Sequence, residues 1–569
     1  MQNLRNATNR TMRGNDFMSA SAKKKLRKEH NVAAMTEKQQ REKKEAKKLK
    51  TYTFTFIVVM VLVLVMALGL VLQVPLAGMF DRGSNAVNVG SHKLSTTDFS
   101  YYYVDGIVDH FNDLYDMYGN YAQYFTGYDV NKALDSQVYD KEKGTSWADY
   151  FIDIGLDNAK STLALYDDAI KNEHKMTDEE KENLEYNIDL IDLIASSRGY
   201  SSADAFLRAC YGSGANMDTY EEYCTVKSLA ASYYTAHSDS LKYTGEDYRE
   251  YEKDKYNTFS SFTFATYNVK VSDYLTGEKD SSGNYTLQQQ ADALEAAKRD
   301  AEALAKGNYK DIAAFNEAAK KLTVNKDKKT IPFNEYKNTL YTSITDEDVQ
   351  KWVSDATRKK GEITKIDTIN TTVNSEGKEE KEYTGYQIVF YVSTNENLMN
   401  LVDVQHILVK FTGGTTNAST GEVTYTAAEK RAALDKAYAI MQEWKNGEAT
   451  KESFAALAKE KSEDTGSKAN GGLYEDIIPG QMVEAFNDWC FKPSQVPGNT
   501  GYVETEYGWH LMYFVEKDER TYRDFMINNE MLNKDMEAWH DELQKAYEIE
   551  KTDLSRLKTD LKVASLPML

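Results

Sequence analysis

The spacing of apolar residues divides the chain into regions with different predicted structures. In residues 85–250 and 521–560 apolar side chains recur at every third or fourth position, which is the spacing of amphipathic helices. Between these regions lie short runs rich in β-branched and aromatic residues, such as "FTFATYNVKV", "VDVQHILVKF" and "GWHLMYFV". Such runs predict buried strands. The pattern therefore predicts an α+β chain in which helical segments flank a centre that contains strands.

An uncharged segment near the start of the chain predicts a membrane anchor. Residues 51–78 contain no charged side chain and are long enough to cross about 30 Å of hydrocarbon as a helix. Residues 1–50 hold 15 Lys and Arg against 5 Asp and Glu, so the positive-inside rule places this basic tail in the cytoplasm. The alternative is a cleaved signal peptide, but the basic leader is longer than a normal signal sequence has. We therefore predict a single-pass signal-anchor in the cell membrane, with residues 80–569 outside it.

The distribution of charge excludes some classes of partner. Because the whole chain carries −20 and residues 1–50 carry +10, the remainder must carry −30. A surface this acidic argues against nucleic-acid binding, which requires Lys and Arg to neutralise phosphates. The cysteines show no metal-binding spacing, and Cys210 and Cys224 could be either free thiols or a pair. The sequence predicts no metal and no other cofactor.

The centre of the chain contains an internal repeat. Residues 262–392 and 402–515 share the order strand, helix, helix, helix, strand, and their closing strands "GYQIVFYV" and "GWHLMYFV" align without a gap. This order predicts an α+β module whose first and last strands could be neighbours in one sheet.

The two copies of the repeat differ at three polar positions. The second copy carries His406, Asp464 and His510, and His510 lies in a strand that is otherwise apolar. The loss of all three from the first copy is typical of a dismantled site, since core positions usually change singly and stay apolar. At the corresponding positions the first copy has Thr266 or Tyr267, Asn325 and Gln387.

Motifs in the second copy resemble a known family. "QHILVK", "FAALAKEKSEDTGSKANGG", "PGQMVEAFNDWCF" and "TEYGWHLMYFV" are similar, in order and spacing, to the signature of parvulin-type peptidyl-prolyl isomerases. A parvulin domain flanked by helical segments and preceded by a degenerate copy resembles the SurA/PrsA group of extracytoplasmic foldases. The resemblance implies four extracytoplasmic regions: a helical chaperone-like domain (85–250), a degenerate parvulin-like domain (257–396), a parvulin-type isomerase domain (401–518) and C-terminal helices (520–569) that pack back on the helical domain.

The resemblance also implies roles for individual residues. His406 and His510 would be paired imidazoles on adjacent strands, with Asp464 beside them and Thr505 bonded to the pair. The sequence departs from the family at "NGGLYEDIIPGQ", where Gly-Gly-Asp-Leu-Gly is usual. Leu473, Met482 and Phe486 would form the apolar cup for the proline ring, and Tyr507 would be a further substrate-binding residue.

The implied reaction is a rotation that breaks no covalent bond. Turning a peptide bond requires about 18–20 kcal/mol, although cis and trans X–Pro differ by only about 0.5–1 kcal/mol. A catalyst must therefore favour the twisted amide, and its substrates would be unfolded or newly secreted polypeptides that contain X–Pro bonds.

Less specific interpretations of the same residues stay open. The two histidines could be a purely structural pair, and Met482 and Phe486, four residues apart on a helix, could be ordinary core residues. The whole chain could be a non-catalytic holdase that uses both parvulin-like modules for binding, or a maturation factor for a single client.

Tyrosines are concentrated in residues 101–128, which contain eight of the 40 in the chain. Tyrosine offers a large contact area with a polar tip, so this stretch could form a cradle that holds unfolded clients. The alternative is a pair of ordinary helices that pack their aromatic side chains inward.

Overall fold

The computed structural model describes residues 55, 58–61, 63, 76–325, 328, 330–373, 378–418 and 420–567. The predicted cytoplasmic tail and most of the predicted membrane anchor lie outside these residues. No helix within the described ranges is both long and apolar enough to span a bilayer. The chain divides into two compact units. The first unit contains the described residues up to Asp239 and those from Ala538 onward, and the second unit contains Ser240–Glu537.

Helices and strands alternate along much of the described chain. The α-helices are α1 (Thr96–Tyr118), α2 (Trp147–Lys171), α3 (Asp178–Ser197), α4 (Ala203–Tyr211), α5 (Met217–Ser240), α6 (Gly245–Glu252), α7 (Leu287–Ala305), α8 (Ile312–Lys320), α9 (Glu347–Val353), α10 (Ala427–Asn446), α11 (Lys451–Lys461), α12 (Glu484–Cys490) and α13 (Tyr522–Gln544). The strands are β1 (Val87–Val89), β2 (His92–Leu94), β3 (Val138–Asp140), β4 (Thr145–Ser146), β5 (Ser261–Lys270), β6 (Phe333–Leu340), β7 (Ile363–Val373), β8 (Glu379–Asn395), β9 (Asn400–Lys410), β10 (Thr415–Thr416), β11 (Val423–Thr424), β12 (Leu473–Ile477), β13 (Thr500–Thr505), β14 (Gly508–Thr521) and β15 (Ile549–Lys551).

The first unit is mainly helical, as the apolar spacing predicts. Ser95, Ser146 and Thr177 cap the first turns of α1, α2 and α3, and each forms a reciprocal capping box with an acidic residue three positions later. Such boxes satisfy backbone N–H groups that a helix start leaves without partners. Cys210 and Cys224, whose pairing the sequence left open, are free thiols.

The C-terminal part of the chain packs on the first unit, partly as a helix and partly in extended form. Among the described residues of this region α13 is the only α-helix, and its Trp539 and His540 contact His237 of α5 and Ser161 of α2. β15 follows it and pairs antiparallel with β1. Leu557, Leu561 and Val563 then pack among the aromatic side chains of α1 and α2. The helix prediction is therefore wrong for residues 545–567. The exposed edge of the β1–β2 hairpin provides backbone partners for these residues, and spacing along the sequence does not reveal such a distant partner.

The second unit contains two sheets of the same design. Their strand orders are β6-β5-β8-β7 and β12-β9-β14-β13, and the central pairs β5–β8 and β9–β14 are antiparallel. The prediction that each repeat brings its first and last strands together is therefore confirmed. Small residues, among them Ala297, Ala301 and Ala437, let α7 and α10 pack closely on one face of their respective sheets.

The strand registers decide which residue of the first copy corresponds to His406. Met512 lies opposite His406 in the second sheet. The gap-free alignment of the closing strands makes Val389 the equivalent of Met512, and Val389 lies opposite Thr266. Thr266 rather than Tyr267 therefore occupies the position of His406.

Candidate active site

The two central strands of the second sheet bring the predicted histidines together. His406 on β9 faces Met512, and His510 on β14 faces Leu408, so both imidazoles project from the same face of the sheet. Their Nδ1 atoms are 3.0 Å apart and their ring planes are nearly parallel, at 23°. Both residues are buried, with 2% of His406 and 6% of His510 exposed.

Polar groups continue this contact at both ends. His406 Nε2 lies 2.9 Å from Asp464 Oδ2, and His510 Nε2 lies 2.8 Å from Thr505 Oγ1. Thr505 ends β13 at the tight turn into β14, where its hydroxyl accepts a hydrogen bond from the backbone N–H of Tyr507 at 3.2 Å. The four predicted catalytic residues therefore form one hydrogen-bonded chain.

Two residues that the sequence analysis missed complete the acidic end of this chain. Ser467 Oγ lies 3.0 Å from His406 Nε2 and donates to Asp464 Oδ2 at 2.5 Å. The Tyr474 hydroxyl donates to the same carboxylate oxygen at 3.1 Å, and its ring centre is 5.3 Å from that of His406. The position of Ser467, three residues after Asp464 in the loop that follows α11, is a sequence signal for such a contact.

Backbone geometry holds this loop against the sheet. Gly472 has a φ of 74°, and its carbonyl accepts a hydrogen bond from the backbone N–H of His406 at 2.8 Å. A Cβ atom on Gly472 would lie 2.1 Å from the carbonyl oxygen of His406. Glycine is therefore required at this position both by the left-handed backbone and by the close approach.

Hydrogen bonds and burial shift the pKa values of three groups in the site. The hydrogen bond from His406 holds the pKa of Asp464 well below its usual range, with further help from Ser467 and Tyr474. Burial, with a smaller contribution from the neighbouring His406, lowers the pKa of His510 to about 3. Burial also raises the pKa of the Tyr474 hydroxyl, as does the charge of Asp464. At neutral pH the site therefore holds an ionised Asp464 and a neutral His510.

One pattern of donation satisfies every ring nitrogen of the pair. Ionised Asp464 can only accept, so His406 carries a proton on Nε2, and with this single proton its Nδ1 accepts. His510 then donates from Nδ1, which leaves its Nε2 to accept from the Thr505 hydroxyl. The hydrogen-bonded chain therefore runs from Thr505 to Asp464 with every ring nitrogen satisfied.

An apolar wall stands beside the imidazoles. Phe486, on α12, meets both rings edge-on, with ring centres 5.5 Å from His406 and 5.4 Å from His510. It is buried with Val404 and Met512, and Met482 packs half-buried on the same cluster. Phe486 is thus a core residue of this sheet face and also borders the site.

Tyr507 and Leu473, the other two predicted substrate-binding residues, do not line the apolar wall beside the imidazoles. Tyr507 is 57% exposed at the turn between β13 and β14. Leu473 lies opposite Gln405 on β12, so its side chain projects from the sheet face that is opposite to the imidazoles. The structure therefore does not bring Leu473 to the site. Tyr474, the next residue of this strand, lies opposite Val404 and projects from the imidazole face.

Comparison with known proteins assigns a family to the region that contains this site. Residues 386–518 match the family model described as the PPIC-type PPIASE domain, so the chain contains a domain of the parvulin class. Segments of the chain are also similar to PrsA foldases. The chain is 40% identical over 81 residues to Foldase protein PrsA 1 of Listeria innocua, covering 14% of this chain and 26% of that protein. It is 29% identical over 187 residues to Foldase protein PrsA 3 of Bacillus anthracis, covering 31% and 56%.

The similarity to these relatives is partial. The matched segments span between about a quarter and a half of the length of the curated relatives. The crystal structure of PrsA from Bacillus subtilis is 16% identical, with a TM-score of 0.24, and the match covers 75% of this chain and 98% of that chain. The family match and the curated relatives show that the chain contains a parvulin-type domain and is similar to PrsA foldases.

Proposed function

We propose that the chain is an extracytoplasmic peptidyl-prolyl isomerase and chaperone whose module 401–518 rotates X–Pro bonds in secreted polypeptides. The observation that carries this proposal is the 3.0 Å contact between His406 and His510, which is bonded at both ends and bordered by Phe486. The match of residues 386–518 to the PPIC-type PPIASE domain supports the same function.

The mechanism follows from what a twisted amide needs. Rotation about the C–N bond removes the resonance that makes the planar amide polar, so a site with little water favours the twisted form. Half-buried Met482, which packs on the cluster that contains the buried Phe486, would offer the apolar surface for the pyrrolidine ring. The imidazole pair fixes the orientation of Thr505, whose hydroxyl is the polar group at the edge of the site, and no step requires covalent attack by Asp464.

The other regions have supporting roles in this proposal. Module 257–396 would be a degenerate parvulin-like scaffold, since it has the strand order of the second sheet but carries Thr266 and Gln387 in place of the imidazoles. The helical region 85–250, completed by the C-terminal residues, would bind unfolded polypeptides. The uncharged segment 51–78 would anchor the chain in the bilayer, which is supported by its length and by the basic residues before it.

A non-catalytic holdase is the second candidate function. Both imidazoles are buried and all four of their nitrogen atoms have hydrogen-bond partners, as expected of a purely structural pair. In that case the second module would bind polypeptides without accelerating their isomerisation.

Refolding of a protein whose slow step is proline isomerisation distinguishes the two functions. We expect catalytic amounts of the full chain to accelerate this step, and His510→Gln, which introduces the residue of the first copy, to abolish most of the acceleration. Gln387→Ala, at the equivalent position of the first module, is the matched control and should leave the rate unchanged. Suppressed aggregation without any acceleration by the wild type would instead support the holdase.

A further inference from the structure

The tyrosine-rich stretch of the first unit is divided by burial. Tyr101, Tyr102 and Tyr103 are buried in the core among the helices. The end of α1 and the following 3-10 helix (Gly119–Tyr124) instead carry large side chains into solvent. This exposed set, the aromatic tip, consists of Tyr115 (50% exposed), Met117 (65%), Tyr118 (41%), Tyr121 (68%), Tyr124 (74%) and Phe125 (54%).

Side chains of the aromatic tip are organised with respect to one another. The rings of Tyr118 and Phe125 stack with centres 4.0 Å apart, and those of Tyr121 and Tyr124 lie 6.5 Å apart. A contiguous exposed patch of large apolar side chains usually marks an interaction surface, whereas single exposed residues do not. Tyrosine suits such a surface because it loses little conformational entropy when it is ordered.

The charge around the aromatic tip indicates what kind of partner it fits. Residues 94–131 contain six aspartates and no Lys or Arg. Asp113 and Asp116 are exposed on the same part of α1 as Tyr115 and Tyr118. In the described part of the chain no ion pair involves Asp113 or Asp116, although Asp105, earlier in the helix, pairs with Lys227. The ring faces of the aromatic tip therefore lie on the same part of the molecule as the carboxylates of Asp113 and Asp116, which form no ion pair with the described residues.

We propose that the aromatic tip binds extended, Lys- and Arg-rich segments of unfolded polypeptides. Cations are attracted to the faces of tyrosine rings and to the carboxylates of Asp113 and Asp116, whereas anionic lipid surfaces and nucleic acids are repelled by the same charges. The inference deepens the chaperone part of the proposed function, because it names the chemistry of the clients that the helical region takes.

Binding of two proline-free peptides to the full chain tests the proposal separately from isomerisation. The peptides have the same length and apolar composition, but one is lysine-rich and the other glutamate-rich, and fluorescence anisotropy measures their affinity. We expect the lysine-rich peptide to bind at least about tenfold more tightly, and added salt to weaken this binding because it screens charges beyond about 8 Å.

Three variants locate the binding on the aromatic tip. The triple substitution Tyr118→Ser, Tyr121→Ser and Tyr124→Ser should weaken binding of the lysine-rich peptide by at least about tenfold, which corresponds to about 1.4 kcal/mol of binding free energy. Asp113→Asn with Asp116→Asn should remove most of the preference for positive charge. Tyr186→Ser, at an equally exposed tyrosine of α3, is the control and should bind as the wild type does.

The possible results separate this proposal from the proposed function. Isomerisation of a short X–Pro peptide should be the same in the triple variant as in the wild type, so a loss of isomerase activity cannot be mistaken for a loss of docking. Equal affinity for both peptides, or unchanged binding by the triple variant, would overturn the proposal. Self-association of the wild type that the triple variant abolishes would assign the aromatic tip to a second copy of the chain, and would also overturn it.

Discussion

The neutral state of His510 makes the stability of the second sheet depend on pH. Burial lowers the pKa of His510 to about 3, from 6.5 for an unperturbed imidazole. Between these two values the unfolded chain binds a proton at this ring and the folded chain does not. The free energy of unfolding therefore falls as the pH drops from 6.5 toward 3, and this loss is absent above 6.5.

The size of the effect follows from the depth of the shift. At about 1.36 kcal/mol per pH unit, lowering the pH from 7 to 4.5 should remove about 2–3 kcal/mol of stability through His510 alone. His510→Gln carries no titratable group at this position and should lack this component. Because the carboxylates that titrate in the same range are shared by both proteins, the difference between them isolates the imidazole.

Urea unfolding, monitored by hydrogen exchange, can measure this difference in the free energy of unfolding between the wild type and His510→Gln. Exchange read by mass spectrometry in peptides from residues 401–518 reports this module separately from the rest of the chain, at pH 7, 5.5 and 4.5. Gln387→Ala should show the wild-type dependence on pH. If His510→Gln loses as much stability as the wild type between pH 7 and 4.5, the argument that His510 is buried in its neutral form is refuted.

Three further substitutions test the partners of the paired imidazoles, each by urea unfolding of the same module. Asp464→Asn removes a charged acceptor and should lower the free energy of unfolding by about 1.5–3 kcal/mol. Because the pKa of Asp464 is lowered in the folded protein, its contribution to wild-type stability is lost as the pH falls below about 4. The variant should lack this loss. An unchanged acid dependence would contradict this. Tyr474→Phe keeps the ring on His406 and should cost only about 0.5–1.5 kcal/mol, so a larger loss would mean that the hydroxyl has another partner. Phe486→Leu loses two edge-on ring contacts and should cost about 1–3 kcal/mol while raising KM for a proline peptide; an unchanged KM would remove Phe486 from the substrate surface.

The sequence predicts the central pair of the site because both histidines lie on strongly patterned strands. The internal repeat also predicts which copy carries the site. In the gap-free alignment Gln387 of the first copy corresponds to His510 of the second, so the site is expected in the second copy. The identity of the residue equivalent to His406 required the strand register, because a shift of one position exchanges Thr266 for Tyr267.

The incorrect predictions concern features that depend on tertiary contacts. Leu473 and Tyr474 are neighbours on β12, and side chains alternate between sheet faces, so a shift of one residue exchanges the imidazole face for the opposite face. Alignment of Gly471 and Gly472 with the family pattern would have indicated Tyr474. For residues 545–567 the helix prediction fails because the partner of β15 is β1, more than 450 positions earlier in the chain.

NMR exchange spectroscopy on a short Ala-Pro peptide tests most directly the central claim that the paired imidazoles catalyse rotation of the X–Pro bond. Without a catalyst the cis and trans signals of such a peptide interconvert over tens to hundreds of seconds. Catalytic amounts of the full chain should produce exchange peaks between them on the scale of a second, and His406→Gln with His510→Gln should remove these peaks. Binding of the peptide without exchange peaks would show that the paired imidazoles do not catalyse the rotation.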